Sequence, residues 1–255
     1  MHPLLLRKQT ATVINLKDRK MTMFKKDLIL RNPLIRMGTE TDDVIPEGGF
    51  GAILAHAGVG KTALLVQLAL NAMLRNRNVL HISLLDPVGK VDLWYQELFH
   101  HLAKEAKVQQ INQLWETILP HRFILTFKVE GFSVPRLEER LTDLMTQGIF
   151  LPQMIIMDGL RFDESGRQPI CDLKALAVKH GMRIWFTVHT HRHEQPGPDG
   201  LPVQLLHVVD LFDVALELQP KGSEIHIKSL KGSPTAADDL PLLLDPSTML
   251  IKDIG

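Results

Sequence analysis

One cysteine, Cys171, stands in 255 residues. A lone thiol excludes an internal disulfide framework and suits a reducing compartment such as the cytosol. Aromatic side chains are sparse, 5% of the chain with a single tyrosine, so a stacking groove for single-stranded nucleic acid has little to be built from. No apolar run reaches the ~18 residues that span a bilayer. Met1–Lys8 lacks the charged, apolar and small-residue succession of a secretory signal. Net charge is missing too: 29 basic side chains balance 29 acidic ones, which argues against coating nucleic acid by bulk electrostatics. What is present is length and an apolar fraction of 45%. A chain of this size buries ~70–75% of its unfolded surface and needs no metal or disulfide staple.

The zero charge is a sum of unlike parts. Residues 1–37 hold Arg7, Lys8, Lys17, Arg19, Lys20, Lys25, Lys26, Arg31 and Arg36 against Asp18 and Asp27, a net +7 that leaves −7 on residues 38–255. The asymmetry predicts a basic arm on a mildly acidic globule. Residues 1–31 read as a flexible basic tail and 32–255 as one domain. A translation start at Met21 or Met23 would remove Arg7, Lys8, Lys17, Arg19, Lys20 and Asp18 and leave the chain at −4. A turn-rich stretch over 38–49, with Pro46, Gly48 and Gly49, introduces the folded core.

From Phe50 short apolar runs alternate with amphipathic segments. The runs Phe50–Ala55, Val79–Leu84, Phe123–Val129, Met154–Met157 and Arg183–Val188 read as strands. Residues 61–75, 90–106, 134–147 and 169–180 read as helices. This alternation predicts an α/β fold, a doubly wound and mostly parallel sheet covered on both faces. Asp213–Leu218, Glu224–Ser229 and Leu242–Leu244, separated by Gly and Pro turns, predict an antiparallel β extension at the C-terminal edge.

Ala55-His-Ala-Gly-Val-Gly-Lys61-Thr62 follows an apolar strand and opens a helix, the context of a phosphate loop, G-x-x-x-x-G-K-[ST], with Ala55 in place of the first glycine. Gly58 and Gly60 permit the tight turn that aims successive N–H groups at phosphate oxygens. The helix start adds its positive dipole end. Over His56, Ala57, Gly58, Val59, Gly60, Lys61, Thr62 and Ala63 the chain should therefore bind a nucleotide. Lys61 should reach the β and γ phosphates, and Thr62 should ligate Mg²⁺. His56 faces either solvent or the nucleotide. An acid closing an apolar strand, Met154-Ile-Ile-Met-Asp158, should support the same metal from the sheet's carboxyl end. The plainer alternative for Asp158 is a cap on the loop that follows.

With these motifs in hand the chain resembles the RecA-like ATPase core, within it the branch of KaiC-type and RadA-type proteins, over about residues 32–252. Further motifs in the family's order are Val79–Asp86, Arg183–His189, His207-Val-Val-Asp210 and Ile227–Ser233. The resemblance implies Mg²⁺-dependent ATP binding and hydrolysis in a ring or filament. It places a water-polarising glutamate just past the second strand. Here that position falls on Leu85, and the only carboxylate is Asp86, shorter and displaced by one residue. A misplacement of this kind costs on the order of 10²-fold in rate, so hydrolysis should be slow. It also makes His189 a sensor of the γ-phosphate, and sets Lys228 and Lys231 where relatives reach a neighbouring subunit's nucleotide. Lysine lacks the planar fork of the arginine often found there.

Three uses follow: an oligomeric ATP-gated switch or assembly ATPase acting on a protein partner, a DNA-directed motor or recombination accessory, and a nucleotide-binding scaffold with little turnover. The charge balance and few aromatics favour the first over DNA. Other patterns carry less. His189, His191 and His193 alternate beside Glu194, a spacing a zinc site can use on an extended strand. A loop through Gln195–Gly200 is the plainer reading, with His191, Arg192 and His193 free to meet a partner. Trp94, Tyr95, Leu98 and Leu102 at helical spacing read as core or subunit interface. No G-x-S-x-G elbow is present, nor the Asn-Lys-x-Asp stretch that reads guanine.

Overall fold

Strands buried on both faces must be apolar throughout, and the central runs of this chain are. In the computed structural model the described residues are 22–26, 28–29, 44–128, 131–162, 166–191, 194, 197, 200–232 and 239–253. β1 (Phe50–Ala55), β2 (Val79–Ser83) and β4 (Met154–Asp158) are buried at every position. β5 (Arg183–His189) is buried except at its ends, while β3 (Arg122–Thr126) is half-exposed, as an edge strand is. Together with β6 (Val214–Lys221), β7 (Glu224–Lys231), β8 (Asp239–Leu244) and β9 (Ile251–Asp253) they form one nine-stranded sheet in the order β3-β2-β4-β5-β1-β6-β7-β8-β9.

All pairings from β3 to β6 are parallel, and those from β6 to β9 antiparallel. The antiparallel extension therefore begins one strand later than the sequence reading places it. β6 runs parallel to β1 because a long crossover returns the chain before Val214, whereas β6 and β7 are joined by the two-residue turn Gly222-Ser223. Gly222 at φ 63 suits that turn.

Among the described residues five longer helices cover the two faces. α1 (Lys61–Leu74), α2 (Val88–Glu105) and α3 (Ile111–Ile118) pack on one side with Ile53, Ile156 and Trp185. α4 (Val134–Thr146) and α5 (Arg167–His180) pack on the other with Phe50, Met157 and Phe186. A short α6 (Val203–Leu206) follows in the β5–β6 crossover. α3 and β9 have no counterpart in the sequence reading, although Ile111, Leu114, Trp115 and Ile118 keep the helical period over two turns. The Trp94–Leu102 strip is core: Tyr95 and Leu98 are fully buried, with Trp94 and Leu102 packed against them.

Most of residues 1–31 lies outside the described residues. Where 22–29 is described it is helical, and Leu28 enters the core beside Phe24 and Ile29, so packing begins before residue 32. Among the described residues no helix is long and apolar enough to cross a membrane.

Candidate functional site

The loops at the carboxyl ends of β1, β2, β4 and β5 meet above the sheet, where open α/β sheets form ligand crevices. The first runs from Ala55 to Lys61. Ala55 pairs with His189 across β1 and β5, and Thr190 donates its N–H to the Ala55 carbonyl at 3.1 Å. Gly58 turns at φ 77 and Gly60 at φ 112, conformations that L side chains rarely adopt. At Gly60 a Cβ would also lie 2.5 Å from the Leu244 side chain of β8, which would have to shift to admit it. α1 starts at Lys61 with no side-chain cap among the described residues, leaving first-turn N–H groups and the positive dipole end directed at the crevice. Lys61 Nζ folds back onto the Ala55 and His56 carbonyls at 2.9 and 2.8 Å. Burial lowers its pKa, and the nearby Asp158 carboxylate opposes that shift.

Asp158 closes β4 at 7% exposure. Its Oδ2 accepts from the Thr62 hydroxyl at 3.0 Å and its Oδ1 from the Thr187 hydroxyl at 2.7 Å. Thr187 Oγ1 in turn accepts the Gly159 N–H at 2.9 Å. The carboxylate is thus tied to α1 and β5 rather than capping its own loop. Burial raises its pKa, while the two hydroxyls hold it back and Asp86 adds repulsion. Lys61, Thr62, Asp158, Thr187 and His189 line one cavity of ≈ 750 Å³. Its polar end offers a lysine, open helix N–H groups, the Thr62 and Thr187 hydroxyls and one carboxylate. Two oxygens 3.0 Å apart suit a hard divalent cation that keeps most of its waters. Among the described residues no three His, Cys, Asp or Glu side chains gather as a fuller metal cage.

No family model matches the chain, and no curated protein matches it.

The remaining sequence-predicted residues are placed unevenly. His56 Nδ1 lies 2.9 Å from the Thr190 carbonyl and 3.2 Å from its hydroxyl, lining a separate cavity of ≈ 270 Å³ beside β6. His189 lines the large cavity with His191, their rings 4.7 Å apart. Partial burial, then Lys61, His191 and His56, lower the His189 pKa. Arg192 and His193 of the weighed zinc and partner readings lie outside the described residues. Leu85, 69% exposed, lines the cavity, whereas Asp86 is not among its described lining residues and pairs with Lys90 at 2.9 Å. Lys228 sits opposite Glu217 two strands from β1, and Lys231 donates to the Val209 carbonyl at 2.7 Å. Neither lines this cavity.

Thr187, Arg161, Phe162 and Gln204 are cavity residues the sequence reading misses. Phe162 is anchored in a cluster with Phe186 and Phe212, at 5.7 and 6.0 Å between ring centroids. The signal for Thr187 was a hydroxyl inside an otherwise apolar run, Ile184-Trp-Phe-Thr-Val188. Nothing in the spacing of Arg161 or Gln204 marked them.

Proposed function

We propose that this chain is a RecA-like phosphate-loop protein of the KaiC and RadA kind that binds ATP with Mg²⁺ and hydrolyses it slowly, working as an oligomeric ATP-gated switch or assembly ATPase. The observation that carries the reading is the Thr62 hydroxyl, 3.0 Å from the Asp158 carboxylate, beside Lys61 at the mouth of a left-handed glycine loop. Magnesium held by Thr62 and Asp158 would offset phosphate charge as it builds up in the transition state. Lys61 leaves the Ala55 and His56 carbonyls for the β and γ phosphates, exchanging neutral acceptors for charged ones. The N–H groups of residues 57–63 orient the phosphate chain. His189, in the wall of the same cavity, would meet its distal end, and Lys228 or Lys231 would contribute from a neighbouring subunit.

Asp86 is the chain's candidate for activating water, and one of its oxygens is held by Lys90. Exposed Leu85 in the cavity wall favours a second reading, a nucleotide-binding scaffold with little turnover.

An ATPase and ATP-binding measurement on the purified chain, beside Lys61→Ala, tests the reading. Removing the cation should weaken ATP binding about 10–100-fold, the worth of one or two charge-assisted hydrogen bonds. Equal binding by both chains would sink the nucleotide reading. Tight binding without turnover, with turnover gained in Asp86→Glu, selects the scaffold. Stimulation by single-stranded DNA that disappears at high salt selects a DNA-directed motor.

A further inference from the structure

We infer that Thr187 is a positioning residue: its hydroxyl fixes the Asp158 carboxylate in the orientation that lets Asp158 and Thr62 share a magnesium ion. The inference rests on the nucleotide reading above.

Alternation along β5 puts Trp185, Thr187 and His189 on the face covered by α1. Asp158 follows Met154 and Ile156 on that face of β4, and Thr62 descends to it from α1. Thr187 is 4% exposed, and its neighbours Phe186 and Val188 are core residues of the opposite face. Valine would fill the same space, and a buried hydroxyl without partners is costly. Thr187 Oγ1 instead has a donor and an acceptor, the Gly159 N–H at 2.9 Å and Asp158 Oδ1 at 2.7 Å.

The terminal torsion of a carboxylate is broad, so one bond to Thr62 leaves the group free to rotate. The second bond, on the other oxygen and from a different element, removes that freedom. Gly159 completes the arrangement. At φ 90 it carries the chain away from β4, and a Cβ there would meet Leu85 Cγ at 2.5 Å. Partners outside the ligand set that orient a ligating side chain typically account for ~10–100-fold in metal affinity.

Isothermal titration of the full chain with ATP across a Mg²⁺ series separates this role from simple packing. Thr187→Val should raise the Mg²⁺ concentration for half-maximal enhancement of ATP binding by ~10–100-fold. Its affinity for ATP in EDTA should stay at the wild-type value, and Thr187→Ser should restore the wild-type Mg²⁺ midpoint. Thr187→Ala set against Thr187→Ser supplies the same contrast if the valine chain does not fold. A wild-type midpoint in the hydroxyl-free chains, or an equal loss with and without Mg²⁺, overturns the positioning role alone. A wild-type chain that binds no ATP overturns the nucleotide reading and this inference with it.

Discussion

Burying Asp158 costs the fold part of the energy of a solvated carboxylate, and the Thr62 and Thr187 hydroxyls return only some of it, so its pKa stays raised. A carboxyl with a folded-state pKa above its unfolded value favours folding below the ordinary carboxyl range. It loses that contribution as pH rises through the folded pKa. Asp158→Asn keeps the shape and removes the buried charge; its amide accepts from the Thr187 hydroxyl, and the Thr62 hydroxyl can turn to accept from the amide NH2 instead of donating. The Tm of the ligand-free variant should exceed wild type at pH 7, and the difference should close near pH 3. In the same variant Mg²⁺ should no longer strengthen ATP binding. Calorimetric melting at the two pH values checks the first part, and a lower Tm at pH 7 would contradict it. Asp158 was legible in the sequence because a strand-ending acid has a recognisable place. Thr187 was not, because its role depends on a partner 29 positions away that only the β4–β5 pairing brings near.

At the scale of elements, the β8–β9 hairpin packs directly against the phosphate loop. Leu244 and Met249 pack against Gly60. Gln67 of α1, 2% exposed, donates to the Met249 carbonyl at 2.8 Å and accepts the Ile251 N–H at 2.8 Å. A helix side chain thus serves as a strand partner. Gln67→Met preserves volume but leaves two backbone groups unpaired, a destabilisation of about 2–4 kcal/mol. Hydrogen exchange should accelerate at Ile251 before the central strands respond, and unchanged protection there would show the hairpin holds without Gln67. The sequence reading recognised the first of these two strands and not the second. Three residues of β9 carry too little alternation to register, and their pairing with Leu242–Leu244 is decided by the hairpin between them.

For the whole molecule, the proposal turns on whether copies assemble so that a neighbouring subunit brings a cation to the site. Lys231 is engaged by the Val209 carbonyl within its own chain, while Lys228 sits opposite Glu217. Light scattering on the eluting protein should find multiples of 28.8 kDa in the presence of Mg²⁺ and ATP. Lys228→Ala should then lower turnover about 10-fold or more without changing ATP affinity, as removal of a transition-state cation does. Lys231→Ala should instead lower stability by about 1 kcal/mol through the lost hydrogen bond. A monomer whose turnover is indifferent to Lys228 would remove the intersubunit cation from the proposal.

The sequence by itself determined the α/β alternation, the glycine loop ahead of α1, and the acid at the end of β4. Each is a local pattern: buried strands must be apolar, positive φ favours glycine, and an acid closing an apolar run marks a strand's carboxyl end. Only the tertiary structure decided that β6 joins the parallel set, that Leu85 rather than Asp86 faces the cavity, and that Thr187 and Gln67 hold the site's carboxylate and flank. Those outcomes depend on crossover direction, on which side of a turn a residue falls, and on partners distant in the chain. The near-absences of the composition point the same way. One thiol, few aromatics and no net charge limit what the molecule can be, while the chemistry of the candidate site lies in a few side chains that folding brings together.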